Sequence, residues 1–97
     1  VNPVPDRVAA RVRRDFHPPL VEQALQELAT TETGNQDAER VQAAVVLTAN
    51  GDLRRLKGLV RLSHVDWRDV LMGSGLEHGD WREVLEDEFG PVGGAGG

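Results

Sequence analysis

Three residues near the middle of the chain, Asn50-Gly51-Asp52, restrict its fold more than any other stretch. An Asn-Gly pair between two apolar runs reads either as a two-residue β-hairpin turn or as the joint between two helices. The run before it, Val45-Val46-Leu47-Thr48, would serve as a strand. The run after it would not. Leu53-Arg54-Arg55-Leu56 fails to alternate, whereas Leu53, Leu56, Leu59, Val60 and Ser63 keep helical phase. A left-handed Asn50 or Gly51 closing one helix, with Asp52 capping the next, accounts for all three residues. The joint therefore predicts an αα-hairpin.

The helix leading into the joint starts after Asp37, a good N-cap, and runs to about Ala49. Ala38, Val41, Ala43, Ala44, Val45, Val46 and Leu47 cover most of its circumference. A helix apolar on so many sides belongs in the middle of a fold. Upstream, Val8, Ala9, Val12 and Phe16 mark a short helix capped by Asp6, with Arg7, Arg11, Arg13 and Arg14 on its other faces. Pro18 and Pro19 separate it from a second helix, with Pro19 in the first turn and a stripe of Leu20, Val21, Ala24, Leu25 and Leu28. Thr30 to Gln36 reads as a loop. The fold expected is a compact all-α bundle of five or six short helices around a central αα-hairpin at 37–64. An extended N-terminus covers 1–5, a single helical domain 6–90, and a disordered glycine-rich tail 91–97.

Beyond the hairpin the chain repeats itself. His64-Val65-Asp66-Trp67-Arg68-Asp69-Val70-Leu71 returns fourteen positions later as His78-Gly79-Asp80-Trp81-Arg82-Glu83-Val84-Leu85. In the second copy Gly79 precedes Asp80, inside a loop containing Gly73, Gly75 and Leu76, so a helix starts at that point. The same role for Asp66 requires a break or kink near His64–Asp66. Helical phase, however, runs on through Trp67, Val70 and Leu71, and would also allow an unbroken helix to Met72. As paired His-x-Asp units the two copies have the ligand types of a metal site. As helix starts they need no ion: each Asp caps, and each Trp packs against the hairpin. The second interpretation is the one expected. Glu83, Glu86, Asp87 and Glu88 colour the last helix, and acids near its C-terminus oppose the helix dipole and loosen its final turn.

Charge alternates along the chain. Residues 1–20 sum to +2, residues 21–50 to −4, residues 51–72 to +2 and residues 73–97 to −5, for a net −5. Arg54, Lys57, Arg61 and His64 fall along one flank of the helix after the joint, at steps of three, four and three. The chain has no Cys, which excludes disulfides, thiolate metal sites and Cys nucleophiles. No Ser stands in a nucleophile elbow, and no glycine loop has the phosphate-cradling form. His17, His64 and His78 are the general bases on offer, and His17 beside Pro18 reads as a linker residue. No apolar stretch is long enough to span a bilayer and the opening residues do not read as a signal peptide, so a soluble, cytoplasmic protein is expected.

Glu39-Arg40-Val41-Gln42-Ala43-Ala44-Val45, then Gly51-Asp52-Leu53, then Asp66-Trp67-Arg68-Asp69-Val70-Leu71 resemble the pattern of a group of small, uncharacterised bacterial proteins of GC-rich, actinobacterial type. The resemblance covers residues 37–72 and implies no activity, cofactor or site residue. The functional expectation therefore rests on the residues themselves. It is a non-enzymatic protein-interaction or regulatory module without cofactor or metal, with self-association as one form of it. Arg54, Lys57 and Arg61 are the candidate contact residues, with Trp81 if it is exposed. The alternative is a helical nucleic-acid-binding domain that uses the basic face of helix 52–64, against which the acidic net charge weighs.

Overall fold

The computed structural model describes residues 2–91 and contains helices α1 (Asp6–Asp15), α2 (Pro18–Ala29), α3 (Ala38–Ala49), α4 (Leu53–Leu71) and α5 (Trp81–Phe89), with no strand among them. Its radius of gyration, 12.1 Å, is that of a chain folded around one core. The expected tail lies almost wholly outside the described residues. No helix of the described chain is long and apolar enough to cross a membrane.

The joint forms as an αα-hairpin. Asn50 closes α3 in the left-handed region (φ 49°, ψ 46°), Gly51 follows at φ 85°, and Asp52 accepts the Arg55 N–H at 3.2 Å to start α4. Asp37 starts α3 in the same way, accepting from Glu39 and Arg40 at 3.0 and 3.4 Å. A side chain at residue 51 would meet the Asp15 carbonyl at 2.6 Å, so the turn lies directly on the end of α1. Only glycine combines this φ with that approach.

Helix α3 is the centre, as its composition requires. Val41, Gln42, Ala43, Ala44, Val45, Val46 and Ala49 are all buried, and α3 touches each of the other four helices. Its alanines let neighbours approach closely. Val8 and Val12 of α1 with Phe16 after it, Ala24 and Leu28 of α2, Leu56, Val60, Val70 and Leu71 of α4, Leu76 of the following loop and Leu85 of α5 complete the core. Fully burying a Leu or Val contributes about 1.5–3 kcal/mol, so this small cluster outweighs anything the surface charges supply. Leu76 is 0% exposed and anchors the glycine loop. The loop itself closes on Glu77, whose carboxylate accepts N–H bonds from Gly73 and Gly75 at 2.7 and 2.8 Å.

The two copies of the repeated phrase part company here. Asp66 has φ −158° and ψ 103°, which breaks α4 into segments 53–65 and 67–71. Its side chain accepts the Arg68 N–H at 3.0 Å, so the first copy is a kink with its own cap. The second copy is not. Asp80 precedes α5 at φ −87° and ψ 15°, outside the extended region that aims an N-cap side chain at the helix, and makes no capping bond. Asp6 corrects the expectation likewise: it lies within α1, and Pro5 holds the preceding extended position (φ −61°, ψ 153°) with no side-chain cap.

Several arginines take roles the pattern hid. Arg7, expected on an outer face of α1, is buried at 8% exposure and makes a bidentate pair with Glu39 of α3, both contacts 2.7 Å. The pairing holds its guanidinium pKa above the ordinary value, despite burial pulling the other way. Arg7 also donates to the Gly90 carbonyl at 2.8 Å, and Arg11 to the Glu88 carbonyl at 2.7 Å with its guanidinium 5.4 Å from the Phe89 ring centre. The end of α5 is therefore held by cations from α1. The helix runs to Phe89 although its last turn is acidic, and these arginines satisfy carbonyls at its end.

Candidate functional site

The candidate face is the outer side of α4 before the kink. Leu56, Val60 and Ser63 turn inward and are buried, which sends Arg54 and Arg61 outward and leaves Lys57 partly exposed. Ser63 fixes the far end of this segment: its hydroxyl donates to the Val60 carbonyl and accepts the Glu32 N–H at 2.9 Å. His64 Nε2 donates to the Thr30 carbonyl at 2.8 Å. The 30–36 loop is thus bonded to the helix on which the basic residues stand.

Electrostatically the face is unbalanced. Among the described residues the ion pairs join Arg7 to Glu39, Arg11 to Asp15 and Glu88, Arg14 to Asp15, and Arg68 to Asp66. None involves Arg54, Arg55, Lys57 or Arg61. Between Asp52, which caps the helix, and Asp66, which caps the kink, there is no acidic residue. Four cations therefore share one segment without an acid. Arg55 is exposed and likewise unpaired, but it projects about 100° round the helix from Arg54, off the Arg54/Lys57/Arg61 flank.

Trp81 stands elsewhere. It is half-buried on α5, with the Arg82 and Arg40 guanidinium carbons 4.2 and 5.0 Å from the ring centre. Arg40 is fixed there by the Gln36 amide oxygen at 2.7 Å and the Leu76 carbonyl at 2.8 Å. The ring forms one wall of a cleft of about 250 Å³ shared with Arg7, Asp37, Glu39, Leu85 and Glu86. Helices α4 and α5 do not touch each other among the described residues, so Trp81 is no part of the basic face. Its stacking is that of a packing residue of the α3–α5 contact. Trp67, its counterpart, covers Gly34: a side chain there would come within 2.1 Å of the indole Nε1.

The His-x-Asp copies do not converge as ligands. His64 is engaged with Thr30 and Asp66 with Arg68, and no group of three or more His, Asp or Glu in the described chain is arranged to hold a metal ion. Pairing with the Arg68 side chain, followed by its backbone N–H, holds the Asp66 carboxyl below the usual range. Glu77 is lowered by its own backbone N–H, then that of Gly73. Both carboxylates are more acidic folded than unfolded, so their contribution is present above the ordinary carboxyl pKa and is lost as pH falls through the folded values. The kink and the glycine loop are expected to open in acid, below the normal carboxyl range. An NMR titration in which the Arg68 and Gly75 amides keep their shifts as pH falls below that range would contradict this.

Two apolar side chains that the helical pattern does not single out are exposed, Val65 at 83% and Met72 at 67%, at the ends of the two segments of α4. No protein-family profile, curated protein or solved structure matches the chain.

Proposed function

We propose that the chain is a non-enzymatic, cytoplasmic protein-interaction module that docks an acidic partner on the first segment of α4. One observation carries the reading: Arg7, Arg11 and Arg40 each serve the fold, whereas Arg54, Lys57 and Arg61 form a basic flank, with Arg55 beside it, that no carboxylate of the described chain pairs with. Such a face steers an acidic surface and sets its orientation more than it supplies affinity. Trp81 is not part of the contact on this reading.

Capture on immobilised wild-type chain, with the Arg54→Glu/Arg61→Glu variant as control, tests the proposal. A protein retained by the wild type and lost by the variant supports it. Equal retention by both removes the α4 face from the interaction. A second reading, nucleic-acid binding, draws on the three-residue turn that delivers Arg54 and Arg55 at the start of α4, a turn length that a helix-turn-helix also uses. Against it stand the net charge of −5 and Asp52 at the very end that would approach phosphate. It requires a duplex DNA shift at low ionic strength that the same double substitution abolishes.

A further inference from the structure

The chain carries a counterpart to its own basic face. On α4, Arg54, Lys57 and Arg61 stand at i, i+3 and i+7. At the start of α5, Asp80, Glu83 and Asp87 stand at the same spacing, are all exposed, and enter no ion pair among the described residues. Both stripes rise about 10.5 Å along a helix, so three cations on one can face three carboxylates on the other. Asp80 is free to take part because it makes no capping bond. Arg82, the one base on α5, is turned onto Trp81.

Within one molecule the stripes do not meet. α4 packs on α2 and α3, α5 packs on α1 and α3, and α4 and α5 make no contact. We infer that the acidic occupant of the α4 face is a second copy of this chain, docking the Asp80/Glu83/Asp87 stripe of one molecule on the Arg54/Lys57/Arg61 stripe of the next. This rests on the reading of that face as a protein-docking surface and names its partner. The two patches differ, so the contact is heterologous: each pair keeps one free basic and one free acidic stripe, on opposite molecules, and association continues into open chains or a ring. Its strength comes from exposed charges, which makes it weak, fast to form and sensitive to salt.

Sedimentation velocity on the full chain over a range of concentrations, at low and at high ionic strength, tests it. The sedimentation coefficient is expected to rise with concentration at low salt and to return to the monomer value at high salt. Arg54→Glu/Arg61→Glu and Glu83→Lys/Asp87→Lys are each expected to stay monomeric, with unchanged helical circular dichroism. An equimolar mixture of the two is expected to associate again, because each supplies the stripe that the other lacks. A wild type that is monomeric at low salt, including one that instead shifts duplex DNA, overturns the inference, as does a mixture that stays monomeric. If the wild type is monomeric but still retains a protein that Arg54→Glu/Arg61→Glu loses, self-docking falls and the docking face stands. Association that survives the α4 substitutions and high salt sinks both.

Discussion

Gly51→Ala is expected to destabilise the chain by about 2–4 kcal/mol, from left-handed strain plus displacement of a backbone contact. Residue 51 holds φ 85°, and a Cβ would stand 2.6 Å from the Asp15 carbonyl oxygen. That atom belongs to backbone at the end of α1, so relief requires moving a helix rather than rotating a side chain. Gly73 supplies the control. It has nearly the same φ, 79°, with nothing within 4 Å of the position a Cβ would take. Gly73→Ala should therefore cost only the conformational part, about 1–2 kcal/mol. Each kcal/mol shifts Tm by roughly 4–8 °C in a domain of this size, so thermal unfolding separates the two variants. Equal losses would mean that the approach of the turn to Asp15 has no energetic weight.

Arg7→Met is the second large effect. It removes both contacts to Glu39 and the bond to the Gly90 carbonyl, and leaves the Glu39 carboxylate without its cation. Breaking a fully buried pair costs about 3–5 kcal/mol, and the 19% exposure of the Glu39 side chain lowers this to roughly 2–4 kcal/mol because water reaches the orphaned charge. Arg7→Met/Glu39→Met should cost less than the sum of the single substitutions, since no charge is then stranded. Denaturant unfolding of the four-member cycle measures the coupling. Strict additivity would show that the pair is no more than an incidental contact.

The different fates of similar residues explain what could be read from the sequence. The hairpin was legible because Asn50, Gly51 and Asp52 each have a local preference, and the three agree. The centrality of α3 followed from apolar residues all round a helix of twelve residues. The kink at Asp66 was legible only through the repeat, since helical phase pointed to a continuous rod. The missing cap at Asp80 was not legible: the two Asp residues stand in nearly the same phrase, but one follows a helix and the other a glycine loop that delivers it at ψ 15°. Arg7 was hidden for another reason. Its partner Glu39 is 32 positions away, and pattern reasoning assigns every arginine to water. The basic face was visible as spacing, but its lack of ion-pair partners became apparent only once Arg7 and Arg11 had been seen to take theirs elsewhere in the fold.

The way α5 is attached has a consequence for how this surface can change. Arg11 and Arg7 grip the carbonyls of Glu88 and Gly90, and Arg40 grips that of Leu76, while the side chains these arginines touch are Glu88, Phe89 and Trp81. Asp80, Glu83 and Asp87 take no part in it. The outer charges of α5 can accordingly be rewritten, by selection or by design, while the helix stays clamped in place. Attachment to the core and outward charge are thus held by separate residues of the same short helix.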